Sequence, residues 1–187
     1  MAMLDEVLAD LRKEMDGTVT ALRRELARTR TGRASTALLE GITVDYYGAK
    51  TPLNQLATLA APEPRLLVIQ PYDRSVIGDI ERAILQSDLG LVPLNDGKLI
   101  RVPIPELTEE RRRDLVKHVR KLAEEYRVSL RNHRRDANEL LKAMEKDREL
   151  TEDELRRGQE KTQEITKDYI ERLEKVLKAK EDEIMEV

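Results

Sequence analysis

"VKHVRKLAEEYRVSLRNHRRDANELLKAM", residues 116–144, decides the architecture. Val116, Val119, Ala123, Tyr126, Leu130, His133, Ala137, Leu140 and Met144 alternate at spacings of three and four. That spacing sets them along one seam of a helix that persists for four heptads. His133 is the one polar residue in the seam, and His118 falls on an outward position. Thr108, with Glu109 and Glu110 behind it, predicts the helix start through a hydroxyl cap and acids near the positive end of the dipole. Near Leu150 the pattern breaks, and "TEDE" (151–154) begins another helix whose stripe includes Ile165, Tyr169, Leu173 and Val176.

Upstream, Leu4, Leu8, Leu11, Met15, Val19, Leu22 and Leu26 share one stripe and predict a helix from about Met3 to Thr29. Three amphipathic helices with short turns are expected to pack as a long antiparallel three-helix bundle. A helix of about 40 residues spans roughly 60 Å, so the bundle is expected to be a rod.

All seven prolines and six of the eight glycines lie between residues 32 and 106. Proline breaks helix interiors and glycine weakens them, so this stretch departs from the helical flanks. It reads as a small, sheet-rich α+β domain (32–106) inserted into a bundle domain made of 1–31 and 107–187. "ITVDYY" (42–47) alternates like a strand, "RLLVIQ" (65–70) reads as a buried strand, and "NDG" (95–97) signals a hairpin. Ser75 is expected to cap a helix running to about Ser87, with Gly90 just past its end. Two connections must join the domains, and we place the hinge at Thr31 and Gly32 and at Pro103, Ile104, Pro105 and Glu106.

Composition bounds the class. Charged residues make up 38% of the 187-residue chain and aromatics 3%, with no Phe, Trp or Cys. This favours long solvated helices over a thick core. The absence of cysteine removes disulfides, thiolate metal sites and a Cys nucleophile, and fits a reducing cytosol. "MAMLDEVLADLRKEMD" is acidic from Asp5 onward and does not read as a signal peptide; nor does any stretch reach the ~18 apolar residues that span a bilayer. A cytoplasmic protein with no membrane association is expected.

Positive charge is concentrated on the middle helix. Residues 107–149 carry 13 basic against 10 acidic side chains, while the chain as a whole has a formal net charge of −3. With Val116 at position a, Arg113, Arg120, Arg127 and Arg134 all fall on position e, about 10 Å apart by the helical rise. Arg131 lies on the same face and Arg135 is adjacent. Two readings stand. Position e often pairs with acids of a neighbouring helix, and the last helix is acid-rich. Alternatively the guanidiniums, which suit bidentate phosphate contact better than lysines do, form a docking site for a polyanion. A second basic group, Arg28, Arg30 and Arg33, sits where the first helix ends, where cations also complement the dipole.

Other chemistry is absent. Two histidines and no cysteine offer no zinc spacing, the glycines form no phosphate cradle, and no nucleophile is paired with a base. No enzyme, metal or cofactor is expected. Few tyrosines are free to stack on bases, so RNA binding, if present, would grip backbone and shape.

"RTGRAS" (30–35), "YYG" (46–48), "TPL" (51–53), "SDLGL" (87–91), "IRVPIPELTEERR" (100–112) and "RNHRRDAN" (131–138) together resemble the signature stretches of the bacterial ribosome recycling factor family. The resemblance runs nearly end to end; Thr36 departs from it, where the family often has proline. It implies an L-shaped, monomeric two-domain protein. It also implies action with elongation factor G and GTP to split the post-termination 70S ribosome into subunits, releasing mRNA and tRNA. On that resemblance Arg30, Arg33, Arg131, Arg134 and Arg135 contact large-subunit ribosomal RNA, and Arg127, on the same stripe of the middle helix, is expected to join them. A coiled-coil adaptor without an RNA role is the alternative.

Overall fold

The computed structural model describes residues 2–186. In chain order the elements are α1 (Ala2–Ala27), β1 (Thr43–Tyr46), β2 (Ala49–Pro52), the single turn α2 (Leu53–Leu56), β3 (Ala57–Glu63), β4 (Leu66–Pro71), α3 (Ile77–Gln86), β5 (Leu94–Asn95), β6 (Ile100–Pro103), α4 (Glu109–Lys146) and α5 (Glu152–Met185). They form two compact units, Met1–Leu26 with Arg113–Val187, and Ala27–Arg112.

The first unit is a three-helix bundle. Leu4, Leu8, Leu11, Met15, Val19, Leu22 and Leu26 are all buried along α1, as their spacing predicts. Cross-helix pairs fix the directions. Tyr126 on α4 donates to Glu25 on α1, while His133, further along α4, meets Thr18 and Glu14, further back on α1. Arg120 meets Glu181 and Arg127 meets Glu174, so α4 and α5 also run antiparallel. The Tyr126–Glu25 hydrogen bond pushes the phenol pKa up to about 12, with desolvation adding to it. Thr108 begins α4 by accepting from the Arg111 amide at 3.1 Å. Between α4 and α5, Arg148 turns the chain with φ +62°. Thr151 and Glu154 then form a reciprocal capping box, worth about 1 kcal/mol on the usual scale.

The seam of α4 differs from the strict heptad in one respect. At its start Leu115, Val119, Leu122 and Ala123 are buried; near its end Ala137, Leu141 and Met144 are, while Leu140 is 49% exposed. A straight α-helix slips about 20° per heptad against a 3.5-residue repeat. Over four heptads the core-facing positions therefore move from g, a and d to a and e, and Leu141 takes the place expected for Leu140.

At Gly158, α5 packs against side chains of both other helices. A Cβ there would lie 2.8 Å from Leu4 Cδ1 of α1 and 2.9 Å from Leu141 Cδ1 of α4. Polar side chains are also buried at this end. Thr162 donates to Asn138 Oδ1 at 2.7 Å, and Thr166 donates to the Thr162 carbonyl at 2.6 Å.

The second unit is built on a four-stranded antiparallel sheet in the order β3-β4-β6-β5, with β1 and β2 forming a separate hairpin. β4 alternates Leu67 and Ile69 into the core, where they meet Ile100, Val102 and Ile104 from the β6 strand and its exit, and Ile80 and Ile84 from α3. β3, "ATLAAPE", carries no clear alternation; it is an edge strand, and Pro62 sits at its register shift, where a missing N–H costs no ladder bond. The cap ahead of α3 is Asp73 and not Ser75. Its carboxylate accepts from the Ser75 amide at 2.9 Å and starts a 3-10 turn that leads into the helix.

The "NDG" hairpin is pinned by side chains. Asp96 Oδ1 accepts from the Lys98 and Leu99 amides, both at 2.9 Å, and Gly97 supplies the φ of +88°. The Leu99 and Lys98 bonds, with Arg101 assisting, hold the Asp96 carboxyl at about 2. A depressed carboxylate pKa contributes stability above its unfolded value near 4, and that contribution is lost as pH falls toward 2. Lys98 and Leu99 amide shifts in an NMR titration should accordingly move with a midpoint near 2. A midpoint near 4 would show that the turn does not hold the anion.

Candidate nucleic-acid interface

The drift of the α4 seam decides what becomes of the arginine stripe. Position e starts on the solvent flank and rotates toward α5, ending buried at Leu141. Arg120, on the way, donates from Nε to Glu181 at 2.8 Å. Arg127 donates from Nε to Glu174 at 2.9 Å and also pairs with Glu124, and its side chain is only 16% exposed. Those two rungs follow the first reading of the stripe, in which carboxylates next door absorb the charge. Arg127 is thus held within the bundle.

One heptad further the arrangement changes. Arg134 Nη1 donates to Gln163 Oε1 of α5 at 2.9 Å, a neutral partner. Arg131 keeps half its side chain exposed and only approaches Glu124, at 3.6 Å, a surface pair of small energetic value. Arg135 is exposed, with no ion pair among the described residues. Lys142, exposed two turns beyond Arg135, extends this side of α4; its seven-residue offset from Arg135 is the signal in the sequence. Arg131, Arg134 and Arg135 therefore form an open cationic patch over one turn of helix. His133, on the opposite flank, is occupied: Nε2 lies 3.1 Å from Thr18 Oγ1 and Nδ1 3.3 Å from Glu14.

Arg30 and Arg33 belong to the other unit. Arg33 is exposed, and Arg30 is partly covered, its Nε buried without a hydrogen bond. Of the residues expected at the hinge, Pro103 pairs with Leu66 in the sheet, Ile104 is in the core and donates its amide to the Arg65 carbonyl at 2.9 Å, and Glu106 bridges to Arg65 at 2.9 Å, all within the second unit. Thr31 is buried. Gly32 adopts φ +83°, and a Cβ there would lie 3.4 Å from the Leu107 side chain of the same unit. A groove of about 560 Å³ beside β1 and α3 mixes Arg28, Lys50 and Arg82 with Glu40, Asp45, Asp79 and Asp88, which does not suit a polyanion. Among the described residues no cluster of three or more His, Asp or Glu could hold a metal, and no helix is long and apolar enough to cross a membrane.

A helical bundle interrupted in sequence by a small sheet-rich unit defines a class of two-unit α+β protein. The particular family follows from comparison. Residues 22–185 match the profile of Ribosome recycling factor, and the chain belongs to the ribosome recycling factor family.

Curated relatives agree. Ribosome-recycling factors of Halalkalibacterium halodurans and Bacillus subtilis are 64% and 56% identical to the chain over 119 residues. Those matches cover 64% of the chain and 64% of each relative, just under two thirds of the relatives' own length. A solution structure of the ribosome recycling factor is 44% identical with a TM-score of 0.79, covering 98% of both chains. A second similar structure, 47% identical with a TM-score of 0.67, covers 98% of this chain and 99% of its own; it is a model of the T. thermophilus ribosome recycling factor, with E. coli elongation factor G, bound to the E. coli post-termination complex.

Proposed function

We infer that this chain recycles ribosomes. After termination it binds the 70S ribosome, docks the α4 patch on large-subunit ribosomal RNA and, with elongation factor G and GTP hydrolysis by that factor, splits the ribosome into subunits, freeing mRNA and tRNA. The observation that carries the reading is the patch itself: Arg131 and Arg135 are exposed and Arg134 has a neutral partner, whereas Arg120 and Arg127 on the same helix are paired with carboxylates. Family membership supplies the partner, since a member has been placed with elongation factor G on a post-termination complex.

Mechanically, the helical unit anchors through arginine–phosphate contacts and the small unit swings on its two connections. Pro105 limits the return connection, and Ile104 and Glu106 fasten its start to the small unit, which leaves the bend to the residues around Thr29–Gly32 and Pro105–Thr108. Arg30 and Arg33 lie at the end of the first connection and add phosphate contacts there. A cross-link tying the small unit to the helical unit, through one cysteine introduced into each unit of this cysteine-free chain, should abolish subunit splitting and spare ribosome binding. Full splitting activity in the locked protein would refute the swing.

The internal pairs Arg120–Glu181 and Arg127–Glu174 favour a second reading, a helical adaptor with no RNA role. Co-sedimentation with salt-washed large subunits separates the two, because an adaptor does not pellet with them. Subunit splitting measured with and without elongation factor G then tests the activity.

A further inference from the structure

The partners of position e on α4 change character along α5. Arg120 faces Glu181 and Arg127 faces Glu174, each step of seven residues forward on α4 matched by seven back on α5. Continuing that register puts Lys167 opposite Arg134, where the series would have supplied an acid. The Arg134 guanidinium reaches one turn further, to Gln163, and donates from Nη1 to its amide oxygen at 2.9 Å. At this one rung α5 offers a hydrogen-bond acceptor of the same reach as glutamate and no negative charge.

A neutral acceptor does two things here. It restricts a long, rotamer-rich side chain to one direction before any ligand arrives, which lowers the entropy lost on docking. It also leaves the full positive charge for phosphate, whereas a carboxylate at that place would form a competing ion pair of the kind seen at Arg120 and Arg127. Counterion release on polyanion binding counts only cations that are not already neutralised.

We propose that Gln163 is a positioning residue of the polyanion site, holding the Arg134 guanidinium in place without cancelling its charge. The proposal rests on the reading that Arg134 faces ribosomal RNA, and the experiment tests the two separately. Affinity for salt-washed large ribosomal subunits is measured over a range of salt for the full-length wild type, Gln163→Glu, Gln163→Ala, Arg134→Ala and the Arg134→Ala/Gln163→Glu double variant. Thermal melting is recorded for each.

Gln163→Glu is expected to weaken binding about 5–10-fold at low salt and to flatten the log–log salt dependence by about one phosphate contact. Its melting temperature should be unchanged or raised, since the new carboxylate pairs with Arg134 and lies four residues from Lys167. Gln163→Ala should lose about 2–3-fold through the freed rotamers, with the salt slope kept. In the Arg134→Ala background Gln163→Glu should add no further loss. Wild-type affinity and slope in Gln163→Glu, with Arg134→Ala impaired, would overturn the proposal alone. A loss from Gln163→Glu that persists undiminished without Arg134 would overturn it too, by assigning the effect to direct repulsion. Wild-type binding by Arg134→Ala would overturn the underlying reading as well.

Discussion

Replacing Arg131, Arg134 and Arg135 together with alanine should reduce affinity for the large ribosomal subunit by at least about 100-fold at moderate salt. Each guanidinium that bonds a phosphate contributes on the order of 1–3 kcal/mol as a charge-assisted hydrogen bond, and 1.4 kcal/mol is a factor of ten. The three need not add, because neighbouring cations on one helical turn repel one another in the free protein. Removing one relieves some of that strain on the others. The salt slope should flatten by about two to three contacts. Arg120→Ala and Arg127→Ala are the matched comparison. They remove the same side chain from the same helix flank, yet their charge is balanced by Glu181 and by Glu174 with Glu124. They should change ribosome affinity little. Losing the partly buried Arg127 pair should lower stability instead, because Glu174 is left without its partner. Equal losses of affinity from both groups of variants would mean that charge on α4 acts as a whole, and that the patch has no special place.

The other large effect is expected inside the bundle. Leu141→Ala should cost about 2–5 kcal/mol, as buried leucine truncations do. Leu141 is fully buried and its methyls stand over Gly158, with Leu4 on the other side. Gly158→Val should also destabilise. Valine gains only part of the ~1 kcal/mol of helix propensity that separates glycine from alanine, and overpacking costs about 1–3 kcal/mol. With Cβ contacts already at 2.8 and 2.9 Å, the overpacking term wins. Gly158→Ala is the finer case, since its single methyl sets about 1 kcal/mol of propensity against displacement of two leucine tips. Combined with Leu141→Ala, the same methyl fills space the leucine vacated. Urea denaturation of the four proteins of the Gly158→Ala, Leu141→Ala cycle should show the double variant more stable than the sum of the single changes allows. Strict additivity would mean that the two residues do not share the site.

Much of the fold was legible from spacing. The three helices, the Thr108 and Thr151 starts, the strands at 42–47 and 65–70 and the hairpin at "NDG" all follow from local rules that the packing obeys. β3 was not legible, because an edge strand of alanines with a proline has neither alternation nor a buried face to signal it. Asp73 and Ser75 compete for the same cap two residues apart, and only the backbone geometry shows which oxygen reaches the amide. The candidate site was half legible. Arg131, Arg134 and Arg135 stand out by composition. Separating them from Arg127 needs two things a single sequence does not display, the winding of a straight helix past its heptads and the register of α5 against α4. Gln163, one of many polar residues on an exposed face, gave no signal by itself.

The buried polar pairs of the bundle bear on how it carries load. An apolar seam alone would let one helix step past another by a heptad at modest expense. Here such a step would break the Thr162–Asn138 hydrogen bond and part His133 from Thr18 and Glu14, couplings between helices that the shifted register does not restore. Both couplings run through α4, one to each neighbour, so they act as detents: a push delivered at one end of the rod reaches the other as displacement rather than being dissipated as slip.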